Sequence, residues 1–450
     1  MSTNTTQLTV AIALILAATA GLCADGAPGL AAVVHKPSVS VHSAPDLSAP
    51  TVATLSNNAP VRISAQQGLW FKIALPAGEP GFLRINEVRM ADTGKQSSRS
   101  VRAQFSGMAG TGRTTETAGV RGLNESDLKS AAFDAAQLAK LESYRLTPEA
   151  AADDARASGW VETTVAYGAE AKAATPNAGK GATQAQKRTG ISIARGFLGS
   201  LGGSAIGGSA ADVADAAVGK SEQEQSAEEL ALGPQIAGCI LGAAKLWQDE
   251  EAQRRVNRIG RWMASRTSRP SLPWTFGVID TAEVNAFAAP GGYILMTRGM
   301  YELLADDAEV AAVLGHEISH VVQRDHYNVI HKQQMSSAST DLIAGQVNVG
   351  GGAAGLMAKE YVRRFGASVM LASLDQGAEY RSDEASEFYL ARSGFNPMAL
   401  YVVLQKMTAF GPASASLAQL YRTHPPLDDR LDRIDRRAYA GTDQFLLRPM

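Results

Sequence analysis

The sequence has little cysteine and no excess of basic residues. Its 450 residues include only Cys23 and Cys239, and 42 lysines and arginines stand against 44 acidic residues. Two cysteines cannot supply a zinc-finger framework, and no internal disulfide can form if a leader is removed after Cys23. A chain with a net charge of −2 has no surplus to neutralise a phosphate backbone. We therefore expect no nucleic-acid partner.

Aromatic residues are also scarce, at 6% of the chain, whereas alanine and glycine are abundant. Abundant small side chains are typical of helices that pack closely on one another. The apolar fraction of 45% is ordinary for a globular protein and allows a sizeable core. The length is sufficient for two or three domains.

The first residues lack lysine and arginine, although they otherwise have the pattern of an export signal. An unbroken run of apolar and small residues extends from Val10 to Cys23, and it is too short to span a membrane comfortably. Residues 18–20 and 22–24 each offer a cleavage site. The pattern predicts a signal peptide at 1–24 and an exported, periplasmic protein, either free or membrane-associated. An uncleaved anchor and a lipid on Cys23 are the alternatives.

Residues 31–92 have the pattern of a small all-β module, in which short apolar alternations are interrupted by turn residues. The segment resembles bacterial Src-homology-3-like domains in its Ser-Ala-Pro turn at 43–45, its strand start at 68–71 and its final strand at 81–82. The resemblance implies a small β-barrel. Such a module would bind a cell-wall or envelope protein ligand, or would support an enzyme.

Residues 93–225 predict a linker and helical region that is partly disordered. Serine, threonine, glycine and alanine dominate its ends, and a helical stretch at 125–144 lies in its middle. Gly199, Gly203 and Gly207 are spaced four apart, which lets helices approach closely. The segment around them is too short and too weakly apolar to span a bilayer. Peripheral membrane contact is therefore the alternative to helix packing.

The motif His316-Glu317-Ile318-Ser319-His320 lies within the predominantly helical part of the chain, from 226 to 440. Residues four apart share one helix face, so two imidazoles can bind one Zn²⁺ at about 2.0–2.1 Å each. Glu317 lies about 100° round the helix, from where it can reach a metal-bound water. That arrangement is typical of a metallopeptidase, because the carboxylate can take the proton of the water.

Two surface histidines on an ordinary helix would give the same five letters. Here the preceding residues, 310–315, are almost wholly apolar, so the motif should be at least half buried. Buried imidazoles and a buried carboxylate need partners, and a metal satisfies all three. We therefore expect a third ligand elsewhere in the chain.

Two residues compete for the place of third ligand. His326 has the spacing of the metzincin class, but Gln323 stands where that class has the glycine that ends the helix. If the helix continues, His326 points about 240° away from His320. Glu379 begins a second predicted helix and shares a face with Asp383, so one carboxylate can bind zinc while the other supports an imidazole. This second choice gives a His₂Glu site with an open fourth position.

The segment 226–440 resembles the gluzincin peptidases of the HtpX, CAAX prenyl endopeptidase and Oma type, including their soluble periplasmic branch. The resemblance rests on four ordered blocks at 285–300, 306–325, 379–397 and 423–434. It implies an α+β fold, in which a mainly helical zincin-like domain carries a small edge-strand sheet. It also implies one zinc per chain, with His316, His320 and Glu379 as metal ligands and Glu317 as general base. Asp383 would support a ligand imidazole, His424 or Arg430 would stabilise the oxyanion, and His424 could instead gate the metal. The strand that follows Asn285 would pair with the substrate.

These features together predict a zinc endopeptidase that cleaves misfolded or unassembled cell-envelope proteins. The single predicted signal argues against the membrane-embedded CAAX-cleaving branch. A latent or non-proteolytic chaperone-like protein with a silenced zinc site is one alternative. A cell-wall peptide hydrolase directed by the β module is another.

Overall fold

The computed structural model describes residues 29–75, 79–91, 123, 125–168, 222–333, 367–371, 374–411, 414–436, 442–446 and 448. The predicted signal peptide, Cys23 and the three spaced glycines lie outside this part of the chain. No helix within it is long and apolar enough to cross a membrane.

Seven antiparallel strands form the N-terminal module, as the alternating pattern predicts. The strand Ser38–His42, for example, buries Val39 and Val41 and exposes Ser38 and Ser40. The strands are β1 Leu30–Val34, β2 Ser38–His42, β3 Thr51–Ser56, β4 Pro60–Gln67, β5 Trp70–Ala74, β6 Pro80–Arg84 and β7 Val88–Met90. Their order in the sheet is β3-β2-β6-β5-β4-β1-β7. The described pairings contain no link between β3 and β7, so closure into the predicted barrel stays a prediction.

The C-terminal part is a helical domain with one small sheet, as predicted. The strands of this sheet are β8 Thr275–Ile279, β9 Ala286–Ala289 and β10 Tyr293–Thr297. Strand β10 pairs in parallel with β8 and antiparallel with β9, so β9 is an edge strand. Among the described residues, the α-helices with defined bounds are α1 Glu125–Ser130, α2 Ala135–Ser143, α3 Pro148–Ala157, α4 Glu222–Ala243, α5 Glu250–Ala264, α6 Arg298–Tyr301, α7 Asp307–Gln323, α8 Gln376–Ser393, α9 Ala399–Thr408, α10 Ala418–Thr423 and α11 Leu427–Arg436.

Helix α7 is the centre of this domain, and it packs against α8, α5 and α9. It begins at Asp307, because the Asp306 carboxylate caps the backbone N–H of Glu309. The Glu309 carboxylate accepts from the backbone of Ala305, and it forms a fully buried ion pair of 2.7 Å with Lys406 of α9.

The N-terminal module is docked on α9 and α11. The side-chain amide of Gln405 donates to the backbone oxygens of Ile85 and Val88. Arg89 forms a salt bridge of 3.0 Å with Asp432, and Lys36 forms one of 2.7 Å with Asp435. The salt bridges of Arg89 and Lys36 fix the module to α11, which is also the helix that carries Arg430.

Candidate active site

Helices α7 and α8 bring three predicted metal ligands together. The Nε2 atoms of His316 and His320 are 3.1 Å apart. Glu379 Oε2 lies 3.4 Å from His316 Nε2, and Glu379 Oε1 lies 3.7 Å from His320 Nε2. The three side chains are buried. Two imidazoles come from one face of α7, and the carboxylate comes from the first turn of α8.

The chemistry of these side chains fits a divalent metal such as zinc. Glu379 Oε2 is buried and has no hydrogen-bond partner among the described residues, although a buried carboxylate oxygen normally needs one. Burial lowers the pKa of His316, but Asp383 and Glu379 outweigh it and raise the pKa to about 9. The site therefore favours positive charge at this imidazole. Two nitrogen donors and one carboxylate are also the ligand set of many catalytic zinc sites.

Asp383 supports His316, in the place that the sequence predicts. Its Oδ1 lies 2.9 Å from His316 Nδ1. Arg430 of α11 donates to both oxygens of Asp383, at 2.9 and 2.5 Å. Burial raises the pKa of Asp383, but Arg430 and His316 outweigh it and lower the pKa to about 2. The carboxylate is therefore ionised and held in one orientation beside the imidazole.

Asp325 supports His320, a role that the sequence pattern did not predict. Its Oδ2 lies 2.9 Å from His320 Nδ1, and the Ser382 hydroxyl lies 3.1 Å from the same nitrogen. The contact depends on Arg324, which ends α7 in the left-handed conformation with φ 60° and ψ 31°. A glycine or asparagine would have signalled this reversal, but arginine does not.

The same reversal changes the position of His326. Helix α7 does not continue past Gln323, and His326 does not point away from the site. Its ring lies 5.9 Å from that of His320, and it lines a cavity beside the ligands. One group of donor atoms that lie within 4.8 Å of one another comes from His316, Glu379 and His424, and it includes neither His326 nor His320.

His424 lies next to the donors. Its Nε2 is 3.5 Å from Glu379 Oε2, and His316, Glu379 and His424 each offer an atom within 4.8 Å of the others. Burial lowers the pKa of His424 to about 4, so its imidazole is neutral near pH 7. Neutral imidazole can bind a metal or donate a hydrogen bond from one ring nitrogen.

Glu317 lines two cavities. One is lined by Phe287, His326 and Met370, and the other by apolar side chains that include Val313 and Leu404. Asn285, Ala286, Glu317 and His424 line both. Burial raises the pKa of Glu317, although His316 and His320 oppose the shift. A carboxylate whose pKa is raised accepts a proton more readily near neutral pH.

Asn285 comes directly before the edge strand β9. Its backbone N–H donates to the Thr297 hydroxyl, and its backbone oxygen accepts from the Thr297 N–H at 3.0 Å. The start of β9 is thereby fixed beside Glu317, within the walls of both cavities.

Comparison with known protein families matches residues 250–438 to peptidase family M48. The beta-barrel assembly-enhancing protease of Yersinia pestis is 28% identical over 217 residues, which are 47% of this chain and 44% of the relative. The metalloprotease LoiP of Escherichia coli (strain K12) is 24% identical over 192 residues, 43% of this chain and 73% of LoiP. The mitochondrial metalloendopeptidase OMA1 of Arabidopsis thaliana is 25% identical over 177 residues, 39% of this chain and 34% of OMA1.

The chain spans less than half of the length of the first of these relatives. Over the matched segment, the similarity to peptidase family M48 and to named metalloendopeptidases bears out the predicted metalloendopeptidase class. The finer resemblance to the HtpX and CAAX branch, and that of the N-terminal module to Src-homology-3-like domains, stay predictions. The convergent donors and the match of residues 250–438 lead to one conclusion: this segment is similar to peptidase family M48, and it brings His316, His320 and Glu379 together.

Proposed function

We propose that this protein is a zinc-dependent endopeptidase, with His316, His320 and Glu379 as metal ligands and Glu317 as general base. The observation that carries the proposal is the convergence of two imidazoles on a buried carboxylate whose Oε2 lacks a hydrogen-bond partner among the described residues. A bound zinc ion would lower the pKa of a water and polarise the substrate carbonyl.

The chain's own residues supply the remaining steps. Glu317 takes a proton from the attacking water and passes it to the leaving amine, a role to which its raised pKa is suited. Arg430 is committed to both oxygens of Asp383, so we assign it to the orientation of His316. His424 reaches the space beside Glu379 and lines both cavities, so we assign it the hydrogen bond to the developing oxyanion.

The substrate would lie along β9. One edge of this strand pairs with β10, and within the described part of the chain no strand pairs with its other edge. An extended peptide can add to such an edge through backbone hydrogen bonds. Glu317 and the residues that begin β9, Asn285 and Ala286, line the same two cavities, so a peptide added to this edge would pass beside the general base.

The proposed substrates are misfolded or unassembled proteins of the cell envelope. The predicted signal peptide and the similarity to proteases named for β-barrel assembly support this choice. An envelope or cell-wall ligand for the N-terminal module, and peripheral membrane contact, remain predictions on the same basis.

A latent form is the second candidate, and one observation favours it. His424 Nε2 lies 3.5 Å from Glu379 Oε2, close enough to complete a set of four protein donors. A metal site closed by a fourth protein ligand is usually structural. In that form the protein would act as a chaperone or binding protein until His424 moves.

Casein proteolysis by the mature chain tests the proposal, with Glu317→Gln and a chelator as controls. We expect cleavage in the wild type and loss of at least about 10²-fold in the variant, the lower range for a general base. Zinc content is measured in parallel and should be one ion per chain in both. Bound zinc without cleavage in the wild type, together with cleavage by His424→Ala, would favour the latent form. A wild type that binds no zinc would overturn both.

A further inference from the structure

Helix α4 lies outside the segment that matches peptidase family M48, and it contacts the end of α7, the helix that carries His316 and His320. Helix α4 ends before residue 250, where the match to peptidase family M48 begins. Its Glu229 is fully buried. A buried carboxylate is costly unless it is paired and hydrogen-bonded, so its partners identify what it holds in place.

The partners of Glu229 are Arg324, which ends α7, and Arg269, which lies between α5 and β8. Glu229 Oε2 accepts from Arg324 Nε at 2.8 Å and from Arg269 Nη2 at 2.6 Å. Arg269 Nη1 donates to Glu229 Oε1 at 3.0 Å and to the backbone oxygen of Val321 at 2.9 Å. Glu229 is therefore connected both to the last turn of α7 and to the residue that ends it.

Arg324 has a backbone conformation that arginine rarely adopts. Among the described residues other than glycine, it and Asn58 alone have a positive φ. The β-carbon of an L-residue crowds the following carbonyl there, so an outside contact must favour this conformation. The buried ion pair with Glu229 is such a contact.

The reversal at Arg324 sends the next residue back toward the metal site. Asp325 is buried, with Oδ2 at 2.9 Å from His320 Nδ1. A second contact from α4 holds the same segment, because Tyr327 donates to Glu228 at 2.7 Å. An extended or helical Arg324 would direct Asp325 elsewhere and deprive His320 Nδ1 of this carboxylate.

We propose that Glu229 and Arg324 form a clamp that positions Asp325 against His320 and so preorganises this ligand for the metal. Glu229 and Arg324 are positioning residues, since neither touches the donors themselves. The proposal rests on the proposed function only in taking His320 as a zinc ligand. It assigns to α4 a part in the metal site that the matched segment alone would lack.

The test compares Arg324→Gly with Arg324→Ala in the full chain. Both variants lack the guanidinium, but only glycine adopts the left-handed conformation freely. Zinc affinity is measured by competition with a fluorescent zinc indicator, which requires no proteolysis. We expect Arg324→Ala to bind zinc at least about 5-fold more weakly than Arg324→Gly, from the cost of that conformation for an L-residue. Equal affinities would overturn the proposal.

Glu229→Gln extends the test to the other half of the clamp. We expect its zinc affinity to fall about 10-fold, the lower range for changes outside the ligands themselves. Adding Arg324→Gly should restore most of that loss, because the reversal then needs no clamp. A double variant that binds as weakly as Glu229→Gln would contradict the proposal.

Glu222→Gln is the matched control. Glu222 is on the same helix and lies 3.7 Å from Arg324, but its side chain is 84% exposed. An exposed ion pair contributes little, so this variant should bind zinc like the wild type. Failure of the wild type itself to bind zinc would overturn the proposed function instead, so the two failures are distinguishable. Thermal unfolding in chelator confirms that each variant folds.

Discussion

The two histidines of the proposed metal site are equivalent in the motif but are supported in different ways. His316 is supported by Asp383, from a different helix, and Asp383 is held by Arg430 from a third. His320 is supported by Asp325, only five residues further along the chain, and by the Ser382 hydroxyl. The first support depends on how three helices pack. The second depends mainly on one backbone reversal.

This difference implies that the two supports fail differently. Loss of Arg430 leaves a charged carboxylate in the core, so it should affect the stability of the whole domain. Loss of Asp325 removes a contact at a helix end, so it should affect the metal more than the fold. Substitutions in each support test that distinction.

Arg430→Met should have the largest effect on stability. It leaves Asp383 buried without its cation, and breaking a buried pair in this way costs about 3–5 kcal/mol. The free energy of unfolding is measured by denaturant titration in the presence of chelator. Arg436→Met is the control, since the Arg436 side chain is 78% exposed on the same helix and should change stability by less than about 0.5 kcal/mol. If both variants lose the same free energy of unfolding, the buried pair of Arg430 and Asp383 does not stabilise the domain as we expect.

Asp383→Asn and Asp325→Asn compare the two supports directly. We expect zinc affinity to fall by about 10- to 100-fold for supporting residues of this kind. Asp383→Asn should lie near the upper end, because it also leaves Arg430 without its carboxylate. Asp325→Asn should lie near the lower end, because Ser382 still contacts His320 Nδ1. The reverse order, measured by indicator competition, would contradict our account of the two supports.

Acid should weaken the first support through Asp383. Burial raises its pKa, but Arg430 and His316 prevail and lower the pKa from 3.8 to about 2. The unfolded chain binds this proton at a higher pH than the native state does. The stabilisation that ionised Asp383 contributes is therefore present above about pH 4 and is lost as the pH falls toward 2. The loss amounts to roughly 2 kcal/mol. Unfolding titrations of the chelated protein from pH 5 to 2 measure it, and a wild type and Asp383→Asn with the same acid dependence would refute it.

Ser382→Ala should have the smallest effect. A single neutral hydrogen bond contributes about 1 kcal/mol, and Asp325 remains on the same nitrogen. Ser382→Ala should lower zinc affinity more in the Asp325→Asn background. His320 Nδ1 then has neither the hydroxyl of Ser382 nor the charged carboxylate of Asp325 beside it. Purely additive effects in this double-mutant cycle would mean that the two groups do not share the support of His320.

Much of the fold followed from local patterns. The short apolar alternations within residues 31–92 predicted an all-β module, and this part of the chain forms antiparallel strands. The spacing of Glu379 and Asp383 predicted that both face the same neighbour, and they lie beside His316 Nε2 and Nδ1 respectively. These inferences succeeded because the helical period relates residues three or four apart whatever the surroundings.

Other features of the site were not predictable in this way. Arg430 and His424 were expected near the site only because the chain resembles a known family. Asp325 was missed because a left-handed arginine leaves no trace in the letters of the sequence. The position of His326 beside His320 was missed for the same reason, since the spacing argument assumed that α7 continued.

Local patterns alone place the groups of the proposed site on two helix faces: the imidazoles of His316 and His320 on one helix, and the carboxylates of Glu379 and Asp383 on another. Helical geometry is local, so it needs no knowledge of the rest of the chain. The groups that support these side chains follow instead from how the helices pack. The reversal at Arg324 is held by Glu229, which is far away in sequence, and Asp383 is held by Arg430 from another helix. Such contacts depend on buried charges finding partners in the packed core, and no local period encodes that choice.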